Sequence, residues 1–197
     1  MKSLLVILVG YFLGSIPSAL IVGKVLAGID IREHGSGNLG ATNTFRILGP
    51  KAGTIVITAD ILKGAIPTYL GLSLGGVPLA LLAGVAAIFG HSFPLFAGFR
   101  GGKGIATGAG VYLIIMPLAL LIAVGVFLTV LFTTSYVSLS SMLAAITLLI
   151  LSFVFKKGLL INLITLAVAA FVIYRHRSNI KRLWNGTENK ARIRIWK

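Results

Sequence analysis

Cysteine is absent from the 197 residues, and Asp30, Glu33, Asp60 and Glu188 are the only acidic side chains. Without thiols there is no disulfide framework, no thiolate nucleophile and no cysteine-held metal. Four scattered carboxylates argue against paired-carboxylate catalysis and against an acidic magnesium cluster, so neither metal nor cofactor is expected. A His-x-x-x-x-Asp arrangement is missing too, because the fifth residues after His34, His91 and His176 are Leu39, Phe96 and Lys181. Charge of either sign is rare, at 11% of residues against 57% hydrophobic, a balance that suits a polytopic membrane protein far better than a soluble domain.

What the chain does have is apolar length. Uncharged runs cover 3–23, 64–99, 104–155 and 158–174, and a helix needs roughly 20 apolar residues to span a bilayer. The pattern predicts an all-α polytopic bundle forming one domain over 1–197, with helices at about 3–26, 52–73, 76–90 and 158–174 and two or three more within 105–155. The first run is long, contains Gly14 and Pro17, and leads straight into a polar motif, so it is read as a retained helix rather than a signal peptide. Pro117 and the polar break Thr133, Thr134, Ser135 split 104–155 into three pieces, and with 158–174 these fit four short crossings better than two long ones, making seven transmembrane helices in all. The piece at about 105–116 is short for ~30 Å of hydrocarbon.

Lysine and arginine total 18, the net charge is +14, and eight of the cations follow residue 174. Nucleic acid is one partner for such a charge, but in so apolar a chain the positive-inside bias accounts for it and no nucleic-acid partner is expected. By the same rule Lys24, Arg32, Arg46, Lys51, Arg100, Lys103 and the tail face the cytoplasm, leaving Lys2, Lys156 and Lys157 outside. The N-terminus is then extracytoplasmic and the C-terminus cytoplasmic.

Two glycine-rich segments stand out against this background. The first reads His34, Gly35, Ser36, Gly37, Asn38, Leu39, Gly40, Ala41, Thr42, Asn43, with Arg46 three residues on; the second runs from Gly90 and His91 to Arg100, Gly101, Gly102, Lys103, Gly104. Glycine lets backbone N–H groups approach an anion, Arg46, Arg100 and Lys103 add charge, and Ser36, Asn38, Thr42 and Asn43 add neutral hydrogen bonds. Neither segment is a dinucleotide fingerprint or a Walker loop, since both of those require a preceding strand. A helix starting at 105 would bring its positive end to Lys103. The plain alternatives are a turn between membrane helices for the first and a lipid-headgroup contact for the second.

His91 is open between base, orienting donor and structural residue. Lys63 lies deep in an apolar helix, three residues from Asp60 on the same face; such groups pair and line cavities at membrane depth, or snorkel to the interface. The tail adds Tyr174, Arg175, His176, Arg177, Asn179, Lys181 and Arg182, then Asn185, Gly186, Thr187 and Glu188. Topology explains its cations but not His176, Asn179 and the Asn-Gly-Thr-Glu ending.

Together these segments resemble the three signatures of the bacterial acyl-phosphate-dependent glycerol-3-phosphate 1-O-acyltransferases: Gly-Ser-Gly-Asn-Leu-Gly-Ala-Thr-Asn with Arg46, Gly-His-Ser-Phe-Pro-Leu-Phe with Arg100-Gly-Gly-Lys-Gly, and Arg-His-Arg-Ser-Asn-Ile-Lys-Arg-Leu with Gly186 and Glu188. Tyr136 to Ser141 resembles a further family segment near the active site. The resemblance implies a seven-helix enzyme of the bacterial cytoplasmic membrane that moves a fatty acyl group from acyl phosphate to glycerol 3-phosphate, giving lysophosphatidic acid and phosphate. Neither acyl-CoA nor acyl carrier protein is its donor, and no obligate protein partner is implied.

Carried across position by position, the resemblance implies that Ser36, Arg46, Lys103, His176 and Asn179 carry catalysis. Gly35, Gly37, Asn38, Gly40, Thr42, Asn43, Lys63, His91, Arg100, Gly101, Gly102, Gly104, Ser141, Arg175, Arg177 and Glu188 are expected to bind substrate or shape the site. The expected route is direct attack of the 1-hydroxyl on the acyl carbonyl, a substrate phosphate taking the proton. His176 as general base is the rival, and an acyl-Ser36 intermediate is third. A transporter of organic phosphates would use similar cradles but at the bilayer midplane, and an anionic-lipid scaffold would leave Gly101 to Gly104 unexplained.

Overall fold

The computed structural model describes residues 1–191, so Arg192, Arg194 and Lys197 of the basic tail lie outside the described residues. Within them every regular element is helical, as expected: α1 Lys2–Gly14, α2 Ser18–Ala27, α3 Ala41–Ser92, α4 Ile105–Ile115, α5 Pro117–Thr134, α6 Val137–Val154, α7 Leu159–Arg175 and α8 Arg177–Trp184, with 3-10 turns at Ile31–Glu33 and Leu95–Ala97. The chain divides into two compact units, Met1–Ile115 and Met116–Lys197.

In the first unit α3 is not one rod. Gly49 (φ 82°), Gly75 and Gly76 (φ 70°) leave helical geometry, cutting it into 41–48, 50–74 and 77–92. Gly71 lies against Leu79 and Ala80, and Gly84 against Thr68. A continuous helix rising about 1.5 Å per residue would hold those pairs more than ~12 Å apart, so 50–74 and 77–92 run antiparallel. The expected helix over 3–26 is interrupted at Ser15–Pro17, where proline offers no N–H to continue it.

Small residues sit where these helices cross. A Cβ at Gly14 would strike the Ala87 carbonyl, and one at Gly64 the Thr107 carbonyl. Such contacts replace the hydrophobic drive that helices cannot draw on inside lipid.

In the second unit Pro117 opens α5 and Ser135 closes it in the left-handed conformation (φ 63°), so both expected breaks in 104–155 are present. Among the described residues, four helical stretches are long and apolar enough to cross a membrane, five with α7 and α8 taken as one pair bent by 56°. The first two stretches are Lys2–Ala27 and Ala41–Ala97, and the second contains the reversal just described. α4, with 11 residues, is about 16 Å long, the short piece foreseen. Leu4, Leu5, Phe12, Leu118 and Leu121 point outward, as apolar side chains do where lipid is the solvent.

Candidate active site

The first glycine segment is shaped by one buried side chain. Asn43, 1% exposed, sits in the first turn of α3 and reaches back over the loop. Its Oδ1 accepts the Ser36 N–H at 2.9 Å, and its Nδ2 donates to the carbonyls of His34 (3.0 Å) and Ile31 (3.3 Å). Gly35 (φ 61°) and Gly37 (φ 69°) supply the left-handed turns this path requires. The effect is to hold Ser36 exposed at the loop's crest, with Asn38 half-buried, Gly40 capping α3, and Thr42 and Arg46 exposed on α3's first turns. Asn43 therefore spends its amide on the loop itself.

The second segment folds around His91, at the end of 77–92. The Gly102 N–H donates to the His91 carbonyl at 3.0 Å. A Cβ on Gly102 would collide with His91 Nε2, and one on Gly101 with the His91 carbonyl. Glycine is the residue that allows this approach. Gly104 (φ 80°) then turns the chain into α4, whose Gly108 N–H bonds the Gly104 carbonyl at 2.7 Å. Half-buried Lys103 thus precedes a helix amino end, as the sequence suggested, and Arg100 lies exposed three residues earlier.

One apolar cluster carries both segments. Leu39 from the first, Ile31 from the 3-10 turn that leads into it and Ala97 from the second pack with Ala19, Leu20 and Val56. Arg32 adds a polar tie: its guanidinium donates to the Ala97 carbonyl at 3.4 Å while bracing Asp30 at 2.6–3.1 Å. Hydrogen bonds from Arg32 hold the Asp30 carboxyl down at about 2. Lys63 does not face solvent; its Nζ lies 2.8 Å from Asp60 Oδ1 and both groups are buried.

In the second unit the tail signature folds onto the start of α6. Glu188 Oε1 accepts from Ser138 Oγ (2.7 Å) and Asn179 Nδ2 (2.6 Å), and Oε2 accepts from Arg182 Nε (2.7 Å). His176 is buried, with Nδ1 2.8 Å from the Val172 carbonyl oxygen. A carbonyl only accepts, so Nδ1 carries a proton, and in the neutral form of the ring the lone pair lies on Nε2. Ser141 is buried and donates to the Val137 carbonyl at 2.8 Å. Arg175 is half-buried, whereas Arg177 is exposed with its guanidinium 4.7 Å from the Tyr174 ring centre.

Residues 4–186 match the family model described as glycerol-3-phosphate acyltransferase. The chain belongs to this family. It is 57% identical to the glycerol-3-phosphate acyltransferase of Bacillus velezensis over 95% of this chain and 97% of that one, and 54% identical to that of Bacillus subtilis over 95% and 97%. The crystal structure of PlsY, an integral membrane glycerol 3-phosphate acyltransferase, superposes in its glycerol 3-phosphate form with a TM-score of 0.94 at 38% identity, over 97% of this chain and 96% of that one. Its lysophosphatidic acid form gives 0.91.

For this membrane acyltransferase, then, the sequence found the loops but not what holds them. Ser138, Arg182 and Arg32 act as braces, and nothing in their spacing announces partners 50, 6 and 65 residues away. Asn43→Ala is expected to cost about 1–3 kcal/mol of stability, because it orphans a loop N–H and two carbonyls. The same substitution should lower acyltransferase kcat/KM by about tenfold or more through lost loop placement. Thermal unfolding and activity per folded molecule after size exclusion check both.

Proposed function

We propose that this acyltransferase takes its acyl group from acyl phosphate and delivers it to the 1-hydroxyl of glycerol 3-phosphate, releasing lysophosphatidic acid and inorganic phosphate. The observation that carries the reading is the pair of glycine segments on one apolar cluster, with Lys103 entering the amino end of α4. Both substrates bring a phosphate, and helix N-terminal amides beside a lysine suit an oxyanion. Lys103, Arg46 and the loop N–H groups hold phosphate; Ser36 and Asn38 add neutral hydrogen bonds. His176 and Asn179, with Ser141, serve the same reaction on the strength of their match to the family signatures.

The 1-hydroxyl oxygen attacks the acyl carbonyl carbon, the bond from that carbon to the phosphate oxygen breaks, and phosphate departs with its electron pair. A phosphate oxygen of the substrates accepts the hydroxyl proton, which suits a chain with four acidic residues. No acyl-enzyme, cofactor or metal enters this route, and no partner protein is needed. Residues 1–197 work as a single enzyme domain in the bacterial inner membrane. It crosses seven times, with its N-terminus outside and the loops bearing Lys103 in the cytoplasm; Lys2 against Lys24, Arg46, Lys51 and Lys103 supports that orientation.

Phosphate release by the purified protein with palmitoyl phosphate and glycerol 3-phosphate, beside palmitoyl-CoA, tests the donor. Release that requires both substrates and yields lysophosphatidic acid is expected. Turnover with palmitoyl-CoA alone would overturn the donor assignment.

A further inference from the structure

The interior of the first unit holds three ionisable groups that the reaction above does not use directly. Asp60 is 2% exposed, Lys63 7% and His91 5%. Lys63 Nζ pairs with Asp60 Oδ1 at 2.8 Å and also donates to the Ile16 carbonyl at 3.1 Å, where α1 gives way to α2. His91 Nδ1 stands 3.8 Å from the same Asp60 oxygen. Stability alone does not call for this arrangement, because well-packed apolar side chains of similar volume serve about as well as a buried ion pair.

The far side of His91 gives the arrangement a purpose. Gly101 and Gly102 are seated directly on the ring and carbonyl of His91, close enough that neither position has room for a Cβ. The Gly102 N–H is fixed to the His91 carbonyl at 3.0 Å. Lys103 and the amino end of α4 follow at once. The order is therefore carboxylate, imidazole, glycine backbone, lysine: a 3.8 Å contact between the buried Asp60 and His91, then the close seat of Gly101 and Gly102 on His91, then half-buried Lys103.

We propose that Asp60 is a positioning residue for the acyl acceptor. Its carboxylate, anchored by Lys63, fixes the His91 ring on which Gly101 and Gly102 rest, and so sets the aim of Lys103 at the phosphate of glycerol 3-phosphate. This rests on the assignment of the Gly101–Gly104 loop to that phosphate. Asp60 itself touches no substrate.

Glycerol 3-phosphate binding to the full chain in detergent, measured by titration calorimetry, tests this without any acyl donor. Asp60→Asn strands the Lys63 charge and invites misfolding, so the deciding variant is Asp60→Asn with Lys63→Met, which removes both charges together. It should unfold near the wild-type temperature yet bind glycerol 3-phosphate about tenfold more weakly or worse, as misplacement does. KM for the acyl donor should stay within about twofold in the same variant. Asp60→Glu should recover part of the affinity. A folded double variant with wild-type affinity, or one whose two substrates weaken in parallel, overturns the positioning role alone. If Lys103→Met also leaves glycerol 3-phosphate affinity unchanged, the loop's assignment falls, and the positioning role with it.

Discussion

Lys103→Met is expected to lower kcat/KM by about 10²–10³-fold, the cost of removing one well-placed donor from a charged transition state. The side chain is half-buried and lies between Gly102, which is pinned to His91, and the first turn of α4. Methionine keeps the unbranched stem and its packing while deleting the ammonium. Arg100 is three residues away on an exposed stretch and cannot take its place. Because the loop's path is set by Gly101, Gly102 and Gly104 rather than by residue 103, the variant should elute and unfold like the parent. Phosphate-release kinetics beside a thermal melt check the two halves of this expectation; activity within about tenfold of wild type in a folded sample would remove Lys103 from its assigned role.

The distance between what sequence revealed and what structure added follows from the range of the interactions. Hydropathy located the helices because lipid imposes the same apolar demand on every crossing, and Pro117 and Ser135 marked their breaks by purely local chemistry. The amino end of α4 was foreseen because glycine and lysine directly precede it. Asp60 and Lys63 were seen to share a face, being three residues apart, whereas His91 joined them only through the reversal at Gly75–Gly76. The interruption at Ser15–Pro17 was missed because the run stays apolar across it, though Pro17 was the available signal. Asn43 was read for its chemistry as a substrate contact, and its position places that chemistry on the backbone of its own loop. Residue type indicates what a side chain can bond to, and only the fold decides which partner reaches it first.

The same competition governs Glu188, whose replacement by alanine is expected to have the largest effect in the second unit. Three protein donors converge on its carboxylate. Asn179 is 6% and Ser138 5% exposed, so losing their acceptor should cost about 3 kcal/mol in unsatisfied buried donors. The Arg182 pair contributes little beyond that, because the arginine side chain is 38% exposed. Activity should fall by about 10²-fold, since Asn179 loses its aim and α8 its tie to α6.

Burial raises the Glu188 carboxyl, but hydrogen bonds from Asn179, Ser138 and Arg182 outweigh it and hold the group below its ordinary 4.5. A folded value below the unfolded one means that the stabilisation is fully present above about pH 4.5. It drains away as pH falls through the lower, folded value. Wild type and Glu188→Ala should therefore differ most in unfolding temperature near neutral pH and draw closer as acidification carries the pH below 4.5 and through the lower, folded value. Equal unfolding temperatures at pH 7 would show that the three donors find other acceptors, and would return Glu188 to the substrate-binding set in which its sequence position first placed it.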